Sequence, residues 1–490
     1  MRYVPPSSSR PLVLGIDLGT TNTKVALADI GPSDITLRAV VAGPTPAPAG
    51  LTDTLGRLIG QVVGNGPAPD AVGIASMAET GVPLDADGEP LGDWLRWDGR
   101  RAGREADDLA QRLGWTELVR ATGVRPSAKV PLVTWAWLQA NDPDRFAALA
   151  RWAGVADFAG YLLTGRLATD HTLAGRTMAY RLPVDGRIAD GFDSDLLAAV
   201  GLHPARLPDV CAGVIGTVRT GPFSDAGLRV GTPVTIAGHD HAVAAYAAGV
   251  RRPGEVADSV GTAEALLTIV TSAPDPATVA RAGLSSVVTV DGRHRGVLAG
   301  SPGAGALVEW WLEHEAGGRP AAALFAEAAE LGDEPGDVFV LPYPRGRPTP
   351  APDPSAQLEI IGRRPDHDRA RLARSLLEGL CLHARWILEE QARLAAEESR
   401  SGPVTLLGAP IAANPTWLRL KSLVHTRPFE LVTEAEAGAA GAALLGAVRA
   451  GLVDGEVPSL PRRPVPAPEP RPDYEQTFAA FVAAATGGSA

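Results

Sequence analysis

A strand-like apolar run at residues 234–237 ends at Gly238, and three polar residues follow at once: His239, Asp240 and His241. An alanine-rich segment typical of a helix begins directly after them. Open α/β folds bind ligands where strands end at their carboxyl edge. This junction is therefore the strongest candidate in the sequence for a ligand-binding or catalytic site.

Three interpretations of the polar triplet stay open from the residues alone. Asp240 could cap the helix that follows. The His-Asp-His run could bind a metal, although adjacent side chains diverge in direction and would need a tight turn. Asp240 could instead be a general base that takes a hydroxyl proton, with both histidines touching the substrate.

A second candidate is the loop that follows the apolar run at residues 12–16. It begins with Asp17 and continues through Gly19, Thr20 and Thr21. Glycine lets the backbone approach a phosphate, threonine hydroxyls add hydrogen-bond donors, and an aspartate at a strand end can hold Mg²⁺. The alternative is a plain hairpin turn, because these residue types are common in turns.

A similar pattern returns near mid-chain, where Val256–Val260 leads into Gly261 and Thr262 and a second apolar run covers residues 265–270. Gly261 lies 242 positions after Gly19 (261 − 19), about half the chain. This spacing predicts two similar domains, each opening with a β-hairpin whose loop could grip phosphates. Chance coincidence of two small motifs is the alternative.

Residues 94–101 combine two tryptophans with acidic and basic neighbours, and Glu79 stands a short way upstream. An aromatic face at Trp97 beside hydrogen-bonding groups at Asp98 and Arg100 resembles a sugar-binding platform. The ordinary alternative is tryptophan in the core and a solvated pair of aspartate and arginine.

The last quarter holds two more junctions. A strand-like run leads into Gly408 and Ala409, and Asn414 precedes a predicted helix that runs through Leu423. Residues 436–443 are almost all glycine and alanine, which predicts a helix that permits close backbone approach. Its partner is either another helix or a flat ligand.

An α/β framework has to position these junctions. Residues 104–113 and 146–153 have helical patterns and alternate with strand-like runs. Proline and glycine within residues 251–254 indicate a domain boundary. Aromatic residues and alanines at helical spacing predict a final packed helix over residues 474–485.

Composition limits the classes of function. The chain has 490 residues and a net charge of −11, which argues against a general binder of nucleic acid or anionic membranes. Its two cysteines, Cys211 and Cys381, exclude a disulfide scaffold. No apolar run is long enough to span a bilayer, and the N-terminus lacks the apolar region of a signal peptide. We therefore expect a soluble cytoplasmic protein.

In this order, the motifs resemble those of the FGGY family of carbohydrate kinases, within the actin-like ATPase superfamily. Residues 15–27 are similar to its first phosphate loop, residues 77–101 to its substrate region, and residues 238–241 to its catalytic aspartate motif. Gly261 and Thr262 stand where the second phosphate loop is found. Further similar segments follow in family order at residues 121–129, 157–165, 169–170, 341–350, 378–379 and 438–443.

The resemblance implies an α/β fold of two ribonuclease-H-like (actin-like) domains with an interdomain cleft. Residues 1–252 would form an N-terminal domain with the sugar site, the first phosphate loop and the catalytic aspartate. Residues 253–490 would form a C-terminal domain with the second loop and the nucleotide site. ATP and Mg²⁺ are the implied cofactors, and family habit suggests a homodimer.

The resemblance also implies residue roles. Asp240 would be the base that deprotonates a hydroxyl of a small sugar or polyol, and Asp17 would help hold Mg²⁺. The substrate would be bound by Glu79, Trp97, Asp98, Arg100, His239 and His241. The nucleotide would be bound by Gly19, Thr20, Thr21, Lys24, Gly261, Thr262, Gly408, Ala409 and Asn414.

The sequence departs from the family pattern in four places, one of them at Arg347 and Pro348, where many relatives have Glu-Arg. The adenosine loop at residues 408–410 lacks the usual paired glycines, and residues 97–101 compress the usual W-x-D-x-R. Residues 76–79 replace the Gln-Met-His-Gly of xylulose kinases, which argues against xylulose. The altered adenosine loop motivates an alternative, a catalytically silent sugar- or nucleotide-sensing protein on the same scaffold. A third interpretation is an actin- or chaperone-like ATPase that acts on proteins.

Overall fold

A computed structural model describes residues 10–99, 101–395, 402–466 and 471–487. Contacts within the chain separate two compact units, which are described one at a time. Unit 1 comprises the described residues of Met1–Gly249, Val290–Arg293 and Ala437–Leu460. Unit 2 comprises the described residues of Val250–Thr289, His294–Glu436 and Pro461–Ala490.

Unit 1 is built on a six-stranded sheet with the order β3-β2-β1-β4-β10-β9. Strands β1, β4 and β10 run parallel, and the remaining neighbours pair antiparallel. The strands of unit 1 are β1 (Leu12–Leu18), β2 (Asn22–Ile30), β3 (Ile35–Pro44), β4 (Ala71–Ser76), β5 (Gly81–Leu84), β6 (Arg151–Gly154), β7 (Ala168–Thr169), β8 (Asp209–Val210), β9 (Val214–Thr217) and β10 (Pro233–His239).

Unit 1 also contains short 3-10 helices at Pro48–Gly50 and Pro204–Arg206. Its α-helices are α1 (Leu51–Val63), α2 (Gly103–Leu113), α3 (Trp115–Thr122), α4 (Pro131–Asn141), α5 (Pro143–Ala148), α6 (Val155–Thr164), α7 (His171–Ala174), α8 (Ser194–Ala198), α9 (Pro222–Asp225) and α10 (Asp240–Ala247). A further helix of unit 1 comes from the last quarter of the chain and is called α17 (Ala437–Arg449).

Unit 2 is built on a seven-stranded sheet with the order β13-β14-β12-β11-β17-β18-β19. Its strands are β11 (Val256–Val260), β12 (Glu264–Val270), β13 (Ser285–Val288), β14 (Arg295–Ser301), β15 (Phe339–Leu341), β16 (Glu359–Ile361), β17 (Val404–Leu407), β18 (Phe429–Val432) and β19 (Arg462–Pro464). Its helices are α11 (Pro276–Arg281), α12 (Gly305–His314), α13 (Ala321–Glu330), α14 (Arg369–Leu394), α15 (Ala409–Ala412), α16 (Pro415–Val424) and α18 (Asp473–Ala485).

The two sheets share one topology. In unit 1, β3, β2 and β1 pair antiparallel, and β1 is followed by the parallel strands β4 and β10. In unit 2, β14, β12 and β11 pair antiparallel, and β11 is followed by the parallel strands β17 and β18. Both predicted hairpins, β1–β2 and β11–β12, are confirmed.

Strand β1 is covered on both faces, as expected of a central strand with parallel neighbours. Leu14 and Ile16 pack in one hydrophobic cluster with Leu55 of α1. Gly15 alternates with them and faces the opposite way, where a side-chain carbon would overlap the backbone oxygen of Ala439 in α17.

Strand β4 meets the same helix through a second glycine. A side-chain carbon on Gly73 would overlap the backbone oxygen of Ala442 and would crowd the backbone nitrogen of Gly446, also in α17. Small residues on both elements therefore allow α17 to pack backbone against backbone on β1 and β4. The predicted close approach to another helix is confirmed at Gly441, which meets the backbone of Val243 in α10, but the approach to strands β1 and β4 was not expected.

The helix predicted over residues 146–153 is wrong in its second half. Helix α5 ends at Ala148, and Arg151–Gly154 is strand β6, which pairs with β5. A pairing with a strand some 70 residues upstream is not visible in the local pattern. The final helix is confirmed as α18.

The division of the chain between residues 252 and 253 stays a prediction. The contact-based units change at Gly249 and Val250, and α17 belongs to unit 1. No helix in the described ranges is both long and apolar enough to cross a membrane.

Replacing Gly73 with alanine tests the backbone packing of α17. We expect Gly73→Ala to lower the free energy of unfolding by about 1–3 kcal/mol, because the added carbon overpacks a rigid contact. Gly56→Ala in α1 is the matched control, since an added carbon there meets nothing within 4 Å. The control should be neutral or stabilise by up to about 1 kcal/mol. Urea unfolding measures both, and equal stability of the two variants would contradict the packing.

Candidate active-site residues

Three parallel strands of unit 1 end side by side. Leu18 at the end of β1 is opposite Ser76 at the end of β4, and Ser76 is opposite His239 at the end of β10. The segments that follow these strands therefore start at one edge of the sheet. They contain the first loop, Glu79 and Asp240, and Asp17 is the last residue but one of β1. The junctions of this unit that the sequence singled out therefore meet at one edge.

Hydrogen bonds shape the first loop. The backbone N–H of Gly19 donates to the carbonyl of Asn22 (3.0 Å), which closes the turn. Thr45 holds the loop from outside, because its hydroxyl donates to the carbonyl of Gly19 (2.7 Å) and its N–H donates to the carbonyl of Thr21 (2.9 Å). The loop is a braced turn with Thr21 exposed to solvent.

Trp97 joins the first loop to the segment after β4. Its indole Nε1 donates to the hydroxyl of Thr20 (2.9 Å), and its backbone N–H donates to the hydroxyl of Thr80 (3.1 Å). Asp98 accepts two hydrogen bonds from Arg96 at 3.0 and 3.2 Å. Arg100 lies outside the described residues.

Asp17 lies at the end of β1, directly opposite Lys24 in the antiparallel register with β2. A side-chain carbon on Gly438, at the start of α17, would overlap the Asp17 carboxylate. The glycine thus leaves room beside that carboxylate. Mg²⁺ is commonly held by one or two carboxylates together with phosphate oxygens and water, so the donor at Asp17 fits such an ion.

Asp240 is the first residue of α10, and His239 occupies the N-cap position without a side-chain cap. The Asp240 carboxylate accepts a hydrogen bond from the backbone N–H of His241 (2.7 Å), and its Oδ1 lies 3.3 Å from Nε2 of His239. The capping interpretation therefore does not describe its position. Across the described residues no group of three or more metal-type ligands is found, so nothing supports the metal interpretation.

The surroundings shift the proton affinities at this junction. Burial raises the pKa of Asp240, and the charge of Glu79 adds to the rise, against opposing contributions from His241. Burial lowers the pKa of His239 well below its usual range, helped by the nearby cations Arg176 and Lys129. His239 is therefore neutral near pH 7, and Asp240 has a stronger affinity for a proton than an ordinary aspartate.

A chain of hydrogen bonds fixes the turn before Asp240. The backbone N–H of His239 donates to the hydroxyl of Thr172 (2.9 Å), and that hydroxyl donates to the Asp170 carboxylate (2.5 Å). Arg449 of α17 pairs with Asp170 (2.8 Å) and also donates to the carbonyl of Ile236 in β10. The sequence places residues 169–170 in a family signature, but gives them no role.

Glu79 has a strained backbone, with a φ of 65°. Its Oε1 accepts from Arg176 at 2.5 and 3.1 Å, and its Oε2 lies 3.2 Å from Nζ of Lys129. Burial alone would raise the pKa of Glu79, but these two cations outweigh it and hold the pKa below its usual range. Neither cation was expected as a partner from the sequence, although Lys129 is one of only three lysines in the chain.

In unit 2, the second loop rests on the start of α12. The N–H of Gly305 donates to the carbonyl of Gly261 (3.1 Å), and the N–H of Ala306 donates to the carbonyl of Thr262 (3.0 Å). Within the loop, the N–H of Gly261 donates to the carbonyl of Ala263 (2.8 Å). Backbone hydrogen bonds therefore hold the loop at these positions.

The altered adenosine loop begins next to the second loop, because β17 is the parallel neighbour of β11. Gly408 follows β17 with a φ of 117° and packs against the carbonyl of Val260. Ala409 starts the short helix α15. The Asn414 side chain accepts from the backbone N–H of Trp417 (3.0 Å) and so caps α16.

A fully buried ion triad lies at the base of the second loop. Nζ of Lys421 in α16 contacts Asp258 of β11 (2.6 Å) and Glu264 of β12 (2.5 Å). Burial raises the pKa of Glu264 to about 8, with Asp258 adding to the rise and Lys421 opposing it. The ends of the β11–β12 hairpin are thus tied to α16.

Comparison with known proteins gives a consistent result. The model of the FGGY family of carbohydrate kinases, N-terminal domain, matches residues 52–247, and the C-terminal domain model matches residues 256–450. A xylulose kinase of Streptomyces coelicolor is 29% identical over 472 residues, covering 91% of this chain and 89% of that protein. A glycerol kinase of Alkalilimnicola ehrlichii is 30% identical over 396 residues, covering 78% of this chain and 76% of that protein.

A similar fold is found in a solved structure. The crystal structure of a xyloylose kinase from Brucella ovis has a TM-score of 0.83 with 21% sequence identity. The match covers 97% of this chain and 99% of that chain. The two-domain α/β fold of that structure is therefore also the fold of this chain.

Removing the ammonium from the unit 2 triad should be costly. We expect Lys421→Met to lower the free energy of unfolding by about 3–5 kcal/mol, because Asp258 and Glu264 stay buried without the ammonium that both contact. Arg419→Met is the matched control, since Arg419 lies on the same helix in a solvent-exposed pair with Asp333. The control should lose at most about 1 kcal/mol. Equal losses in urea unfolding would contradict a role for the buried triad.

Proposed function

Because the chain belongs to the FGGY family of carbohydrate kinases, we propose that it transfers the γ-phosphoryl group of ATP to a hydroxyl of a small ketose or polyol, with Asp240 as the general base. The observation that carries the proposal is the position and environment of Asp240. It starts a helix at the carboxyl end of β10, and its proton affinity is raised beside a neutral His239.

Phosphoryl transfer needs positioning and charge neutralisation more than covalent chemistry. Asp240 accepts the hydroxyl proton as the oxygen attacks, and a raised proton affinity makes it a better acceptor. The chain from Thr172 through Asp170 to Arg449 keeps this turn in one conformation. Mg²⁺ would be held at Asp17 and would neutralise charge on the phosphate oxygens.

The substrate would contact side chains that follow the three strand ends. Glu79 offers a carboxylate fixed by two cations, and Trp97 offers a ring whose Nε1 is already bonded to Thr20. The other proposed substrate contacts are Asp98, Arg100, His239 and His241.

Candidate nucleotide contacts are proposed for each unit separately. In unit 1 the candidates are Gly19, Thr20, Thr21 and Lys24. In unit 2 they are Gly261, Thr262, Gly408, Ala409 and Asn414. The side-chain oxygen of Asn414 already caps α16, so its proposed contribution comes from its position at the start of that helix. A cytoplasmic location and a homodimer remain part of the proposal.

The direct test is ADP release from Mg·ATP with a panel of ketopentoses, ketohexoses, tetritols, pentitols and glycerol. We expect at least one compound to stimulate ADP release strongly and to appear as a phosphate ester. Tight sugar binding without transfer would instead favour a silent sensor. ATP hydrolysis that no compound stimulates would favour a protein-directed ATPase.

The variant Asp240→Asn tests the proposed role of Asp240 as the general base. With a stimulating compound, we expect the variant to lose about 10²–10⁴-fold in kcat/KM while folding and ATP binding persist. The wild-type acid limb of the kcat/KM profile should lie above the pH range of an ordinary aspartate, because loss of the Asp240 proton switches activity on and its pKa is raised. Asp209→Asn, at an exposed carboxylate, is the matched control. Near-wild-type turnover by Asp240→Asn would contradict the assignment.

A further inference from the structure

An excess of positive charge lies beside the proposed substrate contacts of unit 1. The Glu79 carboxylate is shared by Arg176 on one oxygen and Lys129 on the other. Arg125, four residues before Lys129, adds a third cation whose charge lowers the pKa of Lys129, after burial and in the same direction as Arg176. Two cations thus share the Glu79 carboxylate, and the charge of a third acts on one of them.

The other nearby carboxylates do not balance this excess. Asp170 is held by Arg449 and lies against His171, so its charge is compensated within its own group. The Asp240 carboxylate accepts from the backbone N–H of His241 and lies against Nε2 of His239, so it has partners of its own. A neutral polyol could bond to these groups but would leave the extra positive charge in place.

Lys129 is the member of this group that a ligand can reach. Its side chain is 41% exposed, whereas those of Glu79 and Arg176 are 7% and 6% exposed. In addition, Nη1 of Arg176 is buried and has no hydrogen-bond acceptor within the described part of the chain. A buried guanidinium with a spare donor behind an accessible ammonium is an arrangement suited to an anion.

The cluster lies close to the reacting end of the site. Glu79 follows β4 by three residues, and Asp240 follows β10 by one, and the ends of these strands are paired in register. The charge of Glu79 acts on Asp240, and the charges of Lys129 and Arg176 act on His239. A molecule of sugar length bound at Asp240 therefore extends into the field of these cations.

We infer that the substrate is a sugar acid, a short polyhydroxy chain whose carboxylate pairs with Lys129 while one of its hydroxyls is presented to Asp240. The inference rests on the proposed function and narrows its substrate class. A carboxylate suits the accessible ammonium of Lys129, which already shares the Glu79 carboxylate with Arg176. It adds one negative charge to a group that has a small excess of positive charge.

The test compares aldonates with alditols of the same carbon number, from four to six carbons, by calorimetric binding without nucleotide. We expect wild-type protein to bind at least one aldonate about tenfold or more tightly than its alditol. Lys129→Gln should reduce that preference to less than about threefold. Arg104→Gln is the matched control, because it removes one positive charge from an 87% exposed side chain of unit 1 and should keep the preference. Thermal melts check that both variants fold.

Three results would overturn the inference: equal or weaker binding of every aldonate, an unchanged preference in Lys129→Gln, or tighter binding of an alditol phosphate than of the aldonate. The same compounds are then assayed with Mg·ATP. Transfer to alditols without any aldonate preference would leave the kinase proposal standing and refute the sugar acid. An aldonate preference that depends on Lys129 without phosphoryl transfer would refute the kinase and retain carboxylate recognition.

Discussion

The contact between α17 and the central strands of unit 1 supports everything else in that unit. Gly15 and Gly73 remove the side chains that would keep the helix away from β1 and β4. The same helix sends Arg449 to Asp170 and to the carbonyl of Ile236 in β10. One close helix–sheet contact therefore aligns three strand ends and braces the turn that carries Asp240.

Charges are compensated differently in the two units. In unit 2 they stabilise the fold, whereas in unit 1 they are available to bind a ligand. In unit 2, Lys421 and its two carboxylates are sealed from solvent, and their charges serve to tie a hairpin to a helix. In unit 1, the cations around Glu79 exceed the negative charge, and Lys129 is open to solvent. The Lys421 triad of unit 2 needs no ligand to balance its charges, whereas the group around Glu79 in unit 1 has a positive charge that can bind one.

Much of the fold follows from local sequence patterns. The hairpins, the small-residue helix, the final helix and the strand before Asp240 are each expressed in apolar periodicity and turn residues. Strand β6 was missed because its pairing with β5 is non-local. The membership of α17 in unit 1 was not expected either, because it depends on the fit of glycines that stand hundreds of residues from the helix.

The same distinction between local patterns and non-local contacts applies to the proposed site residues. Asp17 and Asp240 were singled out because polar residues at the ends of strand-like runs are visible in sequence, and Glu79 because it stands shortly before the tryptophan-containing segment. Lys129 and Arg176, which pair with Glu79, were not assigned, and neither were Thr172 and Arg449, which hold the turn before Asp240. Most of these contacts reach across the fold rather than along the chain. Asn414 is the opposite case. It was singled out from the sequence as a nucleotide contact, but its side chain caps a helix.

The stereochemistry at phosphorus tests most directly the single in-line transfer that the proposed role of Asp240 requires. ATP with a chiral isotopically labelled γ-phosphoryl group is incubated with the protein and a stimulating substrate, and the configuration at phosphorus in the product is measured. A base that assists one in-line attack by the substrate hydroxyl predicts inversion. Retention would show two successive displacements through a phosphorylated side chain, and would contradict Asp240 as a base for direct transfer.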